Sequence, residues 1–421
     1  MKLEKMVITG GYTLEGGTYV SGGKNSTVAL IPAILLSDAP CTVENLPDIE
    51  DVRAIRDILM AIGAKVDYVP GKSITVDPRG VDTYQVPAEL SARLRAGYYF
   101  WGALLGRCGR VQAGYPGGCA IGARPFDQHI KGFEALGAKV TEENASFNAH
   151  ADKLKGNSVV FDVVTVGGTI NVMLAADKAE GTTVIYNAAK EPHIVDLANF
   201  LNAMGAKVRG AGTSQIRITG QQHLHSCTYS AIPDQIETGT LMIAAAATHG
   251  DVTIYGCIPT HMDSLTAKLL EMGVQVTEGD DRIRVCATGA QRGVNLKTQV
   301  YPGFPTDLQQ PMSALLTTAQ GQSVVRETIY SQRFNHLMEM SRMGARVIIN
   351  GDTALIEGVP ALYGASVRAT DLRAGAALVV AGLMANGTTE IMEPWHIDRG
   401  YEKLEDKLRA LGANICREPL L

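Results

Sequence analysis

Ala61-Ile-Gly-Ala-Lys-Val66 returns along the chain as Ala135-Leu-Gly-Ala-Lys-Val140 and Ala203-Met-Gly-Ala-Lys-Val208. It returns again as Glu271-Met-Gly-Val-Gln-Val276, Arg342-Met-Gly-Ala-Arg-Val347 and Ala410-Leu-Gly-Ala-Asn-Ile415. The glycines stand at 63, 137, 205, 273, 344 and 412, so one unit of about 70 residues is written six times. A repeat of this period is an architectural signal and takes precedence over any local motif.

Each copy has a legible physics. Apolar residues at helical spacing precede the glycine, as in Val52–Ala61. The glycine provides the left-handed residue that ends a helix, and a β-branched strand follows, as in Lys65–Val69. Upstream lies another strand (Cys41–Glu44, Thr183–Tyr186, Val252–Tyr255, Thr389–Met392) and, before it, an Ala/Leu-rich helix pattern (Thr27–Leu36, Thr169–Ala176, Ile236–Ala247, Gly375–Ala385). One such unit cannot bury its helices alone, whereas three closing on one another enclose helices within an outer layer of sheet. The expected fold is therefore α/β, in two barrel-like, inside-out domains of three pseudo-symmetric repeats each. The cut falls in the polar stretch 221–234, giving domains 23–232 and 1–22 with 233–421. The strand Met6–Thr9 precedes the first full unit and is expected to pair in the last.

Composition bounds the function. The 421 residues carry a formal net charge of −5, which gives no case for a nucleic-acid partner. No apolar run reaches the roughly 18 residues of a membrane helix, and no signal segment opens the chain, so a cytoplasmic location is expected. Seven cysteines without a CxxC pair favour reduced thiols over a disulfide framework. No HExxH motif or acidic triad accompanies them; neither a metal nor a cofactor is expected.

The segment Gly114-Tyr-Pro-Gly-Gly-Cys-Ala-Ile-Gly-Ala-Arg-Pro125 departs from the repeat as a glycine-rich loop around Cys119 and Arg124. A thiol near a guanidinium in an open loop is a candidate reactive group, and the bland alternative is a small buried hydrophobe. Ser21-Gly-Gly-Lys-Asn25 lies between a strand and a helix start, where backbone amides and Lys24 attract anions. Tyr301-Pro-Gly-Phe-Pro-Thr-Asp307 presents a carboxylate from a stiff turn, as a general base or as a simple helix cap. Arg333, Arg373 and Arg399 follow short turns in successive units and suit a shared site for carboxylate or phosphate. His223 and His225 read as surface residues.

These segments, with Asp234-Gln-Ile-Glu-Thr-Gly-Thr240, Asp371-Leu-Arg373 and His396-Ile-Asp-Arg-Gly-Tyr401, make the whole chain resemble the enolpyruvyl transferase family, on the branch that uses UDP-N-acetylglucosamine. The resemblance implies two inside-out α/β domains joined by a double crossover. It implies transfer of the carboxyvinyl group of phosphoenolpyruvate to the sugar 3-hydroxyl, the first committed step of peptidoglycan precursor synthesis. It assigns catalysis to Cys119, Asp307 and Lys24, and substrate binding to Asn25, Arg95, Arg124, Thr165, Arg333, Asp371, Arg373 and Arg399. Lys24, Arg124 and Arg399 would hold the phosphate of phosphoenolpyruvate, and Arg333 and Arg373 its carboxylate. It also implies that the epoxide fosfomycin is opened by Cys119. Three segments depart from the family pattern. Val163 stands where a lysine contacts the nucleotide, Gln235 where arginine is usual, and Thr165-Val-Gly-Gly-Thr169 where Ser-Val-Gly-Ala-Thr is expected. A shikimate-type acceptor and a divergent or regulatory paralogue are the alternative readings.

Overall fold

The computed structural model describes residues 4–117, 125–143, 146–331 and 333–420. Those up to Ser21 and from Pro233 onward form one compact unit, and those from Gly22 to Ile232 form the other. The chain thus passes from one unit to the other at Ser21–Gly22 and returns at Ile232–Pro233.

Each unit is built on three inner helices. In the Gly22–Ile232 unit these are Lys24–Ala33, Tyr99–Cys108 and Val166–Ala176. In the other they are Gln235–Ala247, Thr306–Leu316 and Leu372–Met384. Their sequences are apolar on nearly every side, as helices packed on all faces must be; Leu372–Leu383 is buried without interruption. Small residues let them approach. Gly102 N donates to Asn171 Oδ1 at 2.8 Å, leaving no room for a side chain at 102.

The second helix of each repeat is amphipathic: Glu50–Ala61 buries Val52, Ile55, Ile58 and Leu59. All six repeat glycines follow such a helix with positive φ, between 89° and 102°. Any residue with a β-carbon would be strained there.

Among the described residues, six four-stranded sheets share one plan. In the first, Thr228–Ser230 runs parallel to Cys41–Glu44, which pairs antiparallel with Ser73–Asp77, itself antiparallel to Lys65–Val69. Buried and half-exposed residues alternate along Ser73–Asp77, so one face of the sheet covers the helices. The short parallel edge strands, such as Gln85–Val86 and Leu296–Lys297, were not expected from the sequence. The closing strands come from distant places. Thr228–Ser230, at the end of the third repeat, completes the first repeat's sheet. Glu15–Tyr19 edges the sheet of Asp251–Tyr255. Glu4–Thr9 lies between Thr388–Met392 and Asn414–Pro419, the expected pairing with the last repeat. Each unit has its own hydrophobic core.

Candidate active site

In the unit from Pro233 onward, the helix Thr306–Leu316 begins after Pro305 and carries Asp307 in its first turn. Asp307 Oδ1 accepts from Arg333 Nη2 at 2.9 Å. Its Oδ2 accepts from Arg373 Nη2 at 3.0 Å and Nε at 3.2 Å. The arginine side chains are 3% exposed and the Asp307 side chain 26%. Two guanidiniums are therefore almost wholly withdrawn from water and share one partly open carboxylate. Burying charge on this scale is costly unless it is paired, and Asp307 supplies the pairing for both arginines.

Other groups fix the two arginines. Arg333 Nη1 donates to Thr306 Oγ1 at 2.7 Å, and Thr306 donates onward to Glu327 Oε2 at 2.8 Å. Glu327 is buried and also accepts from Thr298 Oγ1 and from the backbone of Ile329 and Tyr330. Arg373 follows Asp371, whose Oδ1 caps the helix Leu372–Met384 by accepting from Arg373 N and Ala374 N. Each guanidinium lies 5.2 Å from an aromatic centroid, Arg333 from Tyr330 and Arg373 from Tyr401. Arg399 is half-buried at the end of the short helix Pro394–Arg399. Glu327 was missed in the sequence; a glutamate at a strand end carries no motif.

The Gly22–Ile232 unit holds the rest. Gly22 lies against the Asn45 carbonyl, where no side chain fits. Gly23 N donates to Ile232 O at 2.7 Å, and the helix Lys24–Ala33 starts there. Lys24 Nζ pairs with the buried Asp51 carboxylate at 3.1 Å, and Asn25 is half-buried beside it in the first turn. The Arg95 guanidinium lies 4.1 Å from the Phe126 centroid and 5.6 Å from that of Tyr98. Below it, His129 is buried and bonded to Asn171 at 2.9 Å. Burial, helped by the Arg95 charge, depresses His129 to about 3, which keeps the ring neutral under the arginine. The rings of Tyr115 and Phe126 stack with centroids 5.7 Å apart. Thr165 caps the helix Val166–Ala176, accepting from Gly168 N at 3.2 Å.

Val163 is 60% exposed, and neighbouring Asp162 pairs with Lys131 at 2.7 Å. Gln235 opens the helix Gln235–Ala247 behind its cap, Asp234. Cys119 and Arg124 lie outside the described residues. The structure brings Asp307, Arg333, Arg373 and Asp371 together in one unit, and it places Lys24, Asn25, Arg95 and Thr165 in the other.

Comparison with known proteins bears on both units. A family model described as EPSP synthase (3-phosphoshikimate 1-carboxyvinyltransferase) matches residues 8–408. A UDP-N-acetylglucosamine 1-carboxyvinyltransferase of Caldanaerobacter subterraneus is 55% identical over 416 residues, 99% of each chain. A protein of the same name from Clostridium botulinum is 55% identical over 99% of this chain and 100% of its own. Among solved structures, the enolpyruvyl transferase NikO from Streptomyces tendae matches over the full length of both chains with a TM-score of 0.89 at 26% identity. An EPSP synthase from Acinetobacter baumannii, 18% identical, shares the fold over 99% of this chain with a TM-score of 0.75. Six like sheets around two sets of inner helices are the build of an enolpyruvyl transferase. The chain belongs to the EPSP synthase family of carboxyvinyltransferases.

Proposed function

We propose that this enzyme transfers the enolpyruvyl group of phosphoenolpyruvate to the 3-hydroxyl of UDP-N-acetylglucosamine and releases phosphate. Relatives at 55% identity over nearly the whole chain carry that substrate in their names. The carrying observation is Asp307 poised on two buried guanidiniums. The reading places the enzyme in the cytoplasm, in the first committed step of peptidoglycan precursor synthesis, acting on small molecules and not on nucleic acid. No helix among the described residues is long and apolar enough to cross a membrane.

Phosphoenolpyruvate carries about three negative charges near neutral pH and needs several fixed cations. Lys24, Arg124 and Arg399 hold its phosphate; Arg333 and Arg373 hold its carboxylate; Arg95, Asn25 and Thr165 serve the sugar nucleotide and the intermediate. Both oxygens of Asp307 are engaged by the two arginines. A substrate carboxylate reaching those guanidiniums takes the place of Asp307 and frees an oxygen of Asp307 to act as a base. Cys119 delivers a proton to the methylene carbon, and the adjacent carbon becomes electrophilic. The sugar hydroxyl attacks that carbon and loses its proton to Asp307, which gives a tetrahedral ketal. The methyl group then loses a proton as the carbon–oxygen bond to phosphate breaks, leaving the enolpyruvyl ether.

Phosphate release from phosphoenolpyruvate is the test, with UDP-N-acetylglucosamine or shikimate 3-phosphate as acceptor. Release with the nucleotide sugar alone is expected. Release with shikimate 3-phosphate would make this a shikimate-type enzyme. Release with neither would favour the regulatory reading that Val163 and Gln235 suggest.

A further inference from the structure

Cys41 and Cys227, far apart in sequence, meet in one sheet of the Gly22–Ile232 unit. Strand Thr228–Ser230 runs parallel to Cys41–Glu44 with Thr228 opposite Thr42. Thr42 N donates to the Cys227 carbonyl at 2.9 Å, so the two cysteines occupy the next rung of the ladder. Neighbouring strands lie about 4.8 Å apart, inside the roughly 4.4–6.8 Å of Cα separation that a disulfide spans. Cys41 is buried and Cys227 is partly open to solvent. The Cys41 thiol donates to Ala39 O at 3.7 Å or to His225 O at 3.8 Å.

The surroundings set the two thiols apart. Cys227 beside it holds Cys41 below the usual thiol range against the opposing effect of burial; the Ser37 hydroxyl and the Cys227 backbone add to the lowering. The same partnership raises Cys227, with burial adding to it. Two sulfurs on one rung, the more acidic one buried and its neighbour partly open to solvent, suit an attacking and a resolving cysteine. Cys257 differs: burial raises it to about 11.

We propose that Cys41 and Cys227 are an oxidation site that closes to a disulfide with hydrogen peroxide. Cys41 gives up its proton and attacks one peroxide oxygen, the O–O bond breaks, and the departing hydroxide takes up that proton to become water. The Cys41 sulfenic acid is then attacked by the Cys227 sulfur. The S–O bond breaks, and the hydroxyl leaves with the Cys227 proton as a second water. Two thiols lose two electrons, and one peroxide becomes two waters. The bond ties the closing strand to the first repeat just ahead of Ile232, whose carbonyl holds Gly23 N at the start of the Lys24 helix.

The experiment treats the full-length protein with hydrogen peroxide, alkylates remaining thiols after denaturation, and maps unreduced peptides by mass spectrometry. A linked pair holding Cys41 and Cys227, two hydrogens lighter than the separate peptides and released by dithiothreitol, is expected. Cys257 and Cys286 should remain alkylated as internal controls. Because the bond closes a long loop, the unfolding midpoint should rise by a few degrees on oxidation. Cys227→Ser, at the partly open position, should abolish the link and the rise while phosphate release stays unchanged. Full alkylation of both cysteines after peroxide, or sulfinic acids at both without a link, would overturn the proposal.

Discussion

The methyl group of Thr165 occupies space that a β-carbon on Gly168 would need: such a carbon would lie 2.6 Å from Thr165 Cγ2 and 3.3 Å from the Phe161 ring. The family pattern has Ser and Ala at these two positions, so one methyl is gained here where another is lost. Gly168→Ala alone overpacks the start of the helix and should cost about 1–3 kcal/mol. Thr165→Ser in the same chain should return most of it, since the added β-carbon then has room. Urea unfolding of the two single variants and the double variant measures the coupling, and additive effects would mean that the two positions are independent.

Asp307→Asn keeps the shape of the side chain and removes the base. Turnover should fall by roughly 10²–10⁴-fold, the usual range for general-base catalysis. Arg333 and Arg373 keep a polar partner but lose the opposing charge, so phosphoenolpyruvate should bind at least as tightly as before. Single-turnover phosphate release and a separate binding titration divide the two effects. Near-normal turnover would remove Asp307 from the base role.

Asp177 predicts a pH dependence. It ends the helix Val166–Ala176, and both carboxylate oxygens are buried with no hydrogen-bond partner among the described residues. Burial raises it to about 7, only partly offset by the Lys178 charge. An acid whose folded value lies above its unfolded value is stabilised in the protonated form. Stability is therefore full below the ordinary aspartate value and is lost as pH rises from about 4 to about 7, by at most about 4 kcal/mol. Asp177→Asn should unfold at higher urea than the parent at pH 8 and at nearly the same urea at pH 4.5. Equal midpoints at both pH values would contradict the assignment.

Val163→Lys restores a cation where the family pattern places one, at an exposed position next to an Asp162 already paired with Lys131. UDP-N-acetylglucosamine should bind more tightly, and the gain should shrink with added salt. Calorimetry at two ionic strengths reads both. An affinity unchanged at low salt would show that the diphosphate is held elsewhere.

The helices and the six glycine turns were legible because each repeat restates the same pattern at the same period. The edge strands were not: Gln85–Val86 and Leu296–Lys297 are too short to carry an alternation. At the candidate site, Asp307 and the arginines stood out as residue types. That Asp307 would take Arg333 and Arg373 on opposite oxygens depends on how the fourth, fifth and sixth repeats close, which no local spacing encodes. Glu327 was invisible for a related reason, since its partners Thr298 and Thr306 make no motif with it. The Cys41–Cys227 rung escaped a reading based on cysteine spacing, because it is made when the third repeat's last strand returns to the first.

Strand order also sets a timetable for biosynthesis. Gly22–Ile232 can close its three sheets once its own residues have emerged from the ribosome. The strand Glu4–Thr9 must wait for Asn414–Pro419, its partner on one side, made some four hundred residues later. At about 5–20 residues per second that is roughly 20–80 s. From the emergence of Ile232 until the last repeat is made, the nascent chain carries one finished half and an unpaired leading strand with two exposed edges. The half that holds Asp307 is consequently the one whose maturation depends on shielding from premature partners.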